Sequence, residues 1–341
     1  MTESTAASAR SHLVDIDPQL SGAEMVEQLV PPRQFADATL DSYRPDPDHP
    51  SQGEALEAMR AFAAGSRPGG FFSRRRQPDA KPGIYLDGGF GVGKTHLLAA
   101  LWHATGGRRK YFGTFIEYTA LVGALGYAGA LAALTGAALI CIDEFELDDP
   151  GDTRLMSRLL RELVASGTRI AATSNTPPNA LGEGRFAAQD FLREIDQLAG
   201  QFSIMRIDGL DYRRRDIEGH AQTTDAAAID AIAARLTGTV TVDDFDALLA
   251  HLARVHPSKY VKLVAGIDTV VLTGVHELAN QTDALRLVAF VDRLYDAQIP
   301  VVSSGIPLDE VFAADMLAGG YRKKYLRAMS RLIALTTGAG L

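Results

Sequence analysis

Short, almost wholly apolar runs alternate along this chain with stretches in which apolar residues recur at helical spacing. Residues 83–86 (Gly-Ile-Tyr-Leu) read as a strand and 94–104 as a helix. Strands follow at 110–115 and 139–142, the second apolar throughout. Residues 153–165 place Leu155, Met156, Leu159, Leu160 and Leu163 on one helical face. Two more strands read at 169–173 and 203–207. Such β/α alternation predicts an α/β fold, a mainly parallel sheet with helices on both faces. The pattern restarts after about Gly219, with an amphipathic stretch at 243–254, a strand at 269–272, a helix at 283–297 and a strand at 301–303. A basic helix at 321–335 closes it. We expect three regions: a flexible tail over 1–30, an α/β core over 31–218, and a smaller C-terminal α/β or helical region over 219–341.

The connections carry turn chemistry. Residues 31–51 are rich in Pro and Asp and read as extended chain. Ser51 reads as a helix N-cap, with Glu54 completing a capping box before Ala55, Leu56, Met59 and Phe62. Residues 66–82 form a loop holding Arg74, Arg75 and Arg76, read as a solvated basic turn or a contact for acidic protein or lipid headgroups. There is an echo between halves: "DTRLMSRLLRELVASGTRIAATSNTPPNAL" and "TDALRLVAFVDRLYDAQIPVVSSGIPLDEV" share a helix, a strand, a Ser-bearing turn and a proline. Duplication and ordinary βαβ grammar both produce such an echo. The first twenty residues lack the apolar core of a secretory signal. Residues 120–142 carry no charge and are long enough to span a bilayer, but Gly123, Gly126, Gly129 and Gly136 interrupt them. A short helix followed by a buried strand fits better, with membrane contact peripheral at most.

Composition adds bounds. The 341 residues are 46% hydrophobic, enough for more than one core. A formal net charge of -8 argues against a dedicated nucleic-acid-binding protein. The single Cys141 excludes an intrachain disulfide and fits a reducing, cytoplasmic location. On a buried strand it reads as packing. His103, His251 and His256 show no metal-ligand spacing.

The chemistry is concentrated in three strings. "GIYLDGGFGVGKTHLLAALW" contains Gly88-x4-Gly93-Lys94-Thr95, the phosphate-loop pattern, with a strand before and a helix after. Backbone N–H groups of Gly88, Gly89, Phe90, Gly91, Val92 and Gly93 can turn toward phosphates, and the helix start carrying Lys94, Thr95 and His96 adds its positive end. Lys94 suits the β- and γ-phosphates of ATP, and the Thr95 hydroxyl suits Mg²⁺. In "ALICIDEFELDD" an apolar strand ends at Asp143 and Glu144, which would face the nucleotide beyond the sheet's carboxyl edge. Asp143 is the second magnesium candidate, and Glu144 the group that orients and polarises the attacking water. Glu146, Asp148 and Asp149 read as surface acids. In "RIAATSN", Asn175 is the candidate that positions water against the γ-phosphate.

Together these strings resemble the AAA+ division of phosphate-loop ATPases, and more closely the ZapE cell-division ATPase family, with its mitochondrial AFG-like relatives. "PSQGEALEAM", "YLDGGFGVGKTHLL", "LICIDEFELDD", "ATSNTPPNAL", "DGLDYRRRD" and a terminal "MSRL" carry the resemblance, from about residue 30 onward. It implies an ATPase that assembles with ATP at subunit interfaces. In bacteria it implies association with the division ring and its polymer FtsZ; the mitochondrial relatives imply protein quality control. It also implies an arginine finger, but Asp190 in "QDFLREI" stands where relatives often carry that arginine. Arg193 and Arg185 are the nearby substitutes. Arg213 or Arg215 in "DYRRRD", and Arg331 in "MSRL", are candidate γ-phosphate sensors.

Three readings follow. The first is a mechanochemical ATPase acting on a protein client, at the division site or elsewhere in the cytoplasm. The second is a nucleic-acid-linked ATPase of the helicase-loader type, against which the charge counts. The third is a nucleotide-gated scaffold with negligible turnover.

Overall fold

The computed structural model describes residues 10–65, 81–89, 91–146, 150–177, 199–209 and 219–337. In chain order its elements begin with β1 (Arg10–Ser11), α1 (Gly22–Glu27), α2 (Pro50–Ala64), β2 (Gly83–Gly88), α3 (Lys94–Ala104), β3 (Lys110–Thr114) and α4 (Phe115–Leu134). They continue with β4 (Leu139–Asp143), α5 (Pro150–Ala165), β5 (Arg169–Ser174), β6 (Phe202–Ile207), α6 (Ile229–Ala233), β7 (Val240–Asp244) and α7 (Phe245–Arg254). The last are α8 (Tyr260–Leu263), β8 (Thr269–Val275), α9 (Gln281–Ala297), β9 (Val301–Gly305), α10 (Ala314–Ala318) and α11 (Arg322–Thr337). The chain divides into two compact units, Ser21–Tyr212 and Met1–Leu20 with Arg213–Leu341.

In the first unit five parallel strands lie in the order β3-β4-β5-β2-β6. The order matters for chemistry. β5 lies between the strand that feeds the phosphate loop and the strand that ends in Asp143, so all three carboxyl ends converge. One sheet face, with Ile84, Leu86, Leu139, Cys141, Ala171 and Ile207, packs under α2 and α3 through Leu56, Met59, Leu97, Leu98 and Leu101. Cys141 is fully buried there, and burial pushes its thiol well up, so it stays an unreactive packing group. On the opposite face edge-to-face rings run Phe202–Tyr85–Phe145–Phe115, with centroids 5.7, 6.2 and 5.2 Å apart.

α2 begins two residues earlier than a Ser51 cap predicts. His49 is the cap and Pro50 occupies the first helical position, where its missing N–H and fixed φ cost nothing. Ser51 instead accepts the Asp208 N–H at 2.9 Å, tying α2 to the end of β6. The segment after β3 runs as two helical stretches joined at a non-helical Gly126 within α4, and the buried β4 follows, so a short helix and then a buried strand do fill residues 120–142. α4 opens on a capping box of Thr114 and Glu117. By length and composition alone it could cross a membrane. Within the fold its Phe115, Tyr118, Leu121, Val122, Ala130 and Leu134 are buried.

The second unit has its own parallel sheet, ordered β1-β7-β8-β9. β7 was not legible as a strand: residues 240–244 end in Asp244, which caps α7 by accepting the Ala247 N–H at 3.1 Å. The echo between halves is visible as α5–β5 and α9–β9, each helix joined to its strand through three residues, 166–168 and 298–300.

The expected N-terminal tail is corrected from Arg10 onward. β1 pairs in parallel with β7, Arg10 opposite Val240 and Ser11 opposite Thr241. Leu13 is 0% exposed in the core of the second unit. The Asp243 carboxylate accepts the Leu13 N–H at 2.9 Å and the Val14 N–H at 3.3 Å, satisfying the start of a short 3₁₀ turn. Ser21 to Glu27 then opens the first unit with a capping box of its own. A two-residue strand has no periodicity to detect, and its partner lies 230 residues away. Leu13→Ala is expected to cost about 2–5 kcal/mol of stability by emptying a core site. Urea unfolding of the full chain measures this, and an unchanged midpoint would return residues 10–16 to the status of a tail.

Candidate functional site

The loop after β2 is shaped by glycines at two places where no other residue fits. Gly93 has φ 84, and a Cβ there would lie 2.5 Å from the Tyr43 ring. At Gly88 a Cβ would lie 2.1 Å from the Ile207 carbonyl oxygen, because β2 and β6 remain paired to that residue. Tyr43 supports the loop from its other side by donating to the Val92 carbonyl at 2.8 Å. Burial pushes the Tyr43 hydroxyl up to about 12, so it stays a donor at neutral pH. His96, on the first turn of α3, is engaged with the same N-terminal segment, its Nε2 lying 2.9 Å from Ser42 Oγ and 3.2 Å from Thr39 O. Its ring packs against Phe35 and Tyr43.

Lys94 begins α3 and folds its ammonium back over the loop. Nζ donates to Gly88 O at 2.9 Å, Gly89 O at 2.5 Å and Asn175 Oδ1 at 3.0 Å. A cation is therefore held at the loop's mouth with the β5 terminus against it. Asn175 in turn donates through Nδ2 to Glu146 Oε1 at 3.4 Å, so Glu146 belongs to the site's rim and is not only a surface acid.

The second half of the site is a hydroxyl–carboxylate cluster. Thr95 Oγ1 donates to Asp143 Oδ2 at 3.0 Å, and Thr173 Oγ1 donates to Asp143 Oδ1. Asp143 is 7% exposed. Burial and then the Glu144 charge push its carboxyl above the usual range, opposed by the Thr173 and Thr95 hydrogen bonds and by Lys94. Glu144 follows with φ 54, a left-handed conformation uncommon for this residue type and costing on the order of 1–3 kcal/mol. Two bonds from β5 hold the turn: Glu144 N–H donates to Thr173 Oγ1 at 3.2 Å, and Phe145 N–H to Thr173 O at 2.7 Å.

One more acid lies in this region. Asp87, the last side chain before the loop, is 2% exposed and pairs with Arg206 across the β2–β6 register at 3.4 Å. Burial pushes its carboxyl up, while Arg206 and then Lys94 pull it down. A charge inside the apolar run before the loop was a readable signal. Tyr43, by contrast, sits in a Pro- and Asp-rich stretch and gave none.

The structure therefore brings together Lys94, Thr95, Asp143, Glu144 and Asn175. The Thr95 and Asp143 oxygens are hard donors facing one another, which fits magnesium. Among the described residues no cluster of three or more His, Cys, Asp or Glu could hold a metal. Water and phosphate would thus complete the shell, as this ion prefers. Phe90, Arg185, Asp190, Arg193, Arg213 and Arg215 lie outside the described residues, as do Arg74–Arg76, Asp148 and Asp149. Arg331, the candidate sensor of the terminal "MSRL", has a partner of its own. It lies on α11 with its guanidinium bound to Asp292 of α9.

The family model described as AFG1-like ATPase matches residues 20–237 and 217–340. The cell division protein ZapE of Escherichia coli K12 is 28% identical over 81% of this chain and 84% of its own length. The zebrafish (Danio rerio) lactation elevated protein 1 homolog B is 23% identical over 71% of this chain and 59% of its own. Among solved structures, domain III of the Thermotoga maritima replication initiation protein DnaA is 17% identical. It covers 58% of this chain and 72% of that one, with a TM-score of 0.40.

Proposed function

Since the chain belongs to the AFG1-like ATPase family, we propose that it hydrolyses ATP at the Lys94–Glu144 site and uses the cycle to remodel a protein client. The observation that carries this reading is the convergence of Lys94 and Asn175 with the Thr95–Asp143 pair at three adjacent strand ends. Lys94 exchanges its bonds to the Gly88 and Gly89 carbonyls for phosphate oxygens. Glu144, on the turn just beyond Asp143, orients a water for attack on the γ-phosphorus and takes up its proton. The bond to the ADP oxygen breaks in the same displacement. Magnesium, when bound, neutralises the phosphate charge that develops in that displacement. Thr95 and Asp143 are the residues that would hold it. Asn175 would donate to the γ-phosphate through its Nδ2, the amide nitrogen that here meets Glu146 Oε1.

The client we propose is a protein polymer, with FtsZ the candidate implied by the resemblance, and the active form an oligomer sharing the site between copies. ATP turnover measured against protein concentration, with and without FtsZ, tests both points. Specific activity is expected to rise with concentration, and FtsZ to change it further. A flat concentration series would remove the shared site. Turnover and FtsZ light scattering that ignore one another would remove FtsZ as client and leave the hydrolysis intact.

A further inference from the structure

We infer that Thr173 is a positioning residue for hydrolysis, one that sets the Glu144 carboxylate through the turn following β4. The inference rests on the ATP-hydrolysing reading of the same site.

The ladder between β4 and β5 ends at Ile142 opposite Ala172. Beyond that point Asp143 still pairs with Thr114 of β3, and the chain then turns out of the sheet at Glu144. Thr173 takes over from the ladder with every polar atom suited to the task. Its carbonyl accepts the Phe145 N–H at 2.7 Å, its hydroxyl accepts the Glu144 N–H at 3.2 Å, and the same hydroxyl donates to Asp143. A hydroxyl has one proton to give and lone pairs to receive, so one group serves two consecutive residues. Thr173 is 1% exposed, and no ordinary solvent contact competes with these bonds.

On its other edge Thr173 is in register with Leu86 of β2, two residues before Gly88. Asn175 lies two residues further on, just past the end of β5, where its Oδ1 accepts from Lys94. The strand end that meets the nucleotide through Asn175 therefore also holds the turn that carries Glu144. Ser174, the next residue, turns its Oγ to a different task and accepts the Thr176 N–H at 3.0 Å. The left-handed Glu144 backbone supplies the reason for such a fastening: without it the turn relaxes toward commoner conformations and carries the carboxylate away. A displacement of about 1 Å at a reacting group is enough for roughly 100-fold in rate.

The experiment compares wild type, Thr173→Val and Thr173→Ser. Valine preserves shape and removes only the hydroxyl; serine restores it. Steady-state kcat is measured with ATP, and affinity for a fluorescent adenine nucleotide is measured separately without magnesium. Thr173→Val is expected to lose about 10- to 100-fold in kcat while nucleotide affinity stays within about threefold. Thr173→Ser is expected to recover to within about threefold of wild type, since it retains the donor and acceptor. The inference is overturned by a valine variant within twofold of wild type in kcat, by a serine variant as slow as valine, or by affinity falling in proportion to rate. A wild-type chain that binds nucleotide and does not turn it over would instead fail the hydrolysis reading itself, and this inference with it.

Discussion

Glu144→Gln is expected to bind ATP as wild type does and to hydrolyse it about 10²- to 10⁴-fold more slowly, the range removed with a general base. The substitution keeps size and hydrogen-bonding reach and deletes the proton acceptor. The loop that grips phosphate has its own fastenings: Lys94 bonds to Gly88, Gly89 and Asn175, and Thr95 to Asp143. Loss of the Glu144 charge also relieves the neighbouring Asp143, whose carboxyl that charge pushes up. Binding should therefore survive or tighten. Lys94→Ala gives the opposite pattern, because it removes the cation at the mouth of the loop, and nucleotide binding is expected to be lost. Equilibrium binding together with single-turnover hydrolysis separates the two variants. Glu144→Gln turning over at the wild-type rate would exclude Glu144 as the base.

These expectations were largely legible in the sequence, for a reason that can be located. The phosphate loop and the acid pair are local strings: strand, turn and chemistry lie within a dozen residues, and spacing alone aligns them. Asn175 was readable from its order after Asp143 and Glu144. What was not readable depends on distance or on competition between neighbours. Leu13 reaches Asp243 across 230 residues, so residues 10–16 looked like a tail. Ser51 looked like a cap, but Pro50 takes the first helical position and frees the hydroxyl for Asp208. In "ATSN" three polar residues compete for attention. Sequence order selects Asn175, and only the bonds show that Thr173 holds the acids. Tyr43, placed against Gly93 and Val92, had no motif to announce it.

Arg331 shows how helical spacing can be read two ways, and it leads to the second large effect. Arg327 and Arg331 lie one turn apart on α11, and both guanidinium groups reach the single carboxylate of Asp292 on α9, Arg327 at 2.6 Å. Arg331 also stacks over the Tyr295 ring, its guanidinium carbon 5.0 Å from the centroid. The side chains are 5%, 11% and 11% exposed for Arg327, Arg331 and Asp292, so solvent screens this cluster little. Both cations meet this one anion. Asp292→Ala removes the carboxylate that both buried guanidinium groups meet. It is expected to cost about 3–5 kcal/mol, the range for removing one partner of a buried pair. That is a large share of the roughly 5–15 kcal/mol that holds an ordinary domain folded. Replacing Asp292 by Leu together with Arg327 and Arg331 by Met removes charge on both sides and is expected to recover most of the loss. Urea unfolding of the full chain gives the comparison. If Asp292→Ala shifted stability by less than about 1 kcal/mol, a surface-pair value, the cluster would not be what holds α11 on α9. Arg331 would then again be available as a nucleotide sensor. A structural Arg331 should instead show its first effect in the unfolding midpoint, with ATP affinity following only where the fold is lost.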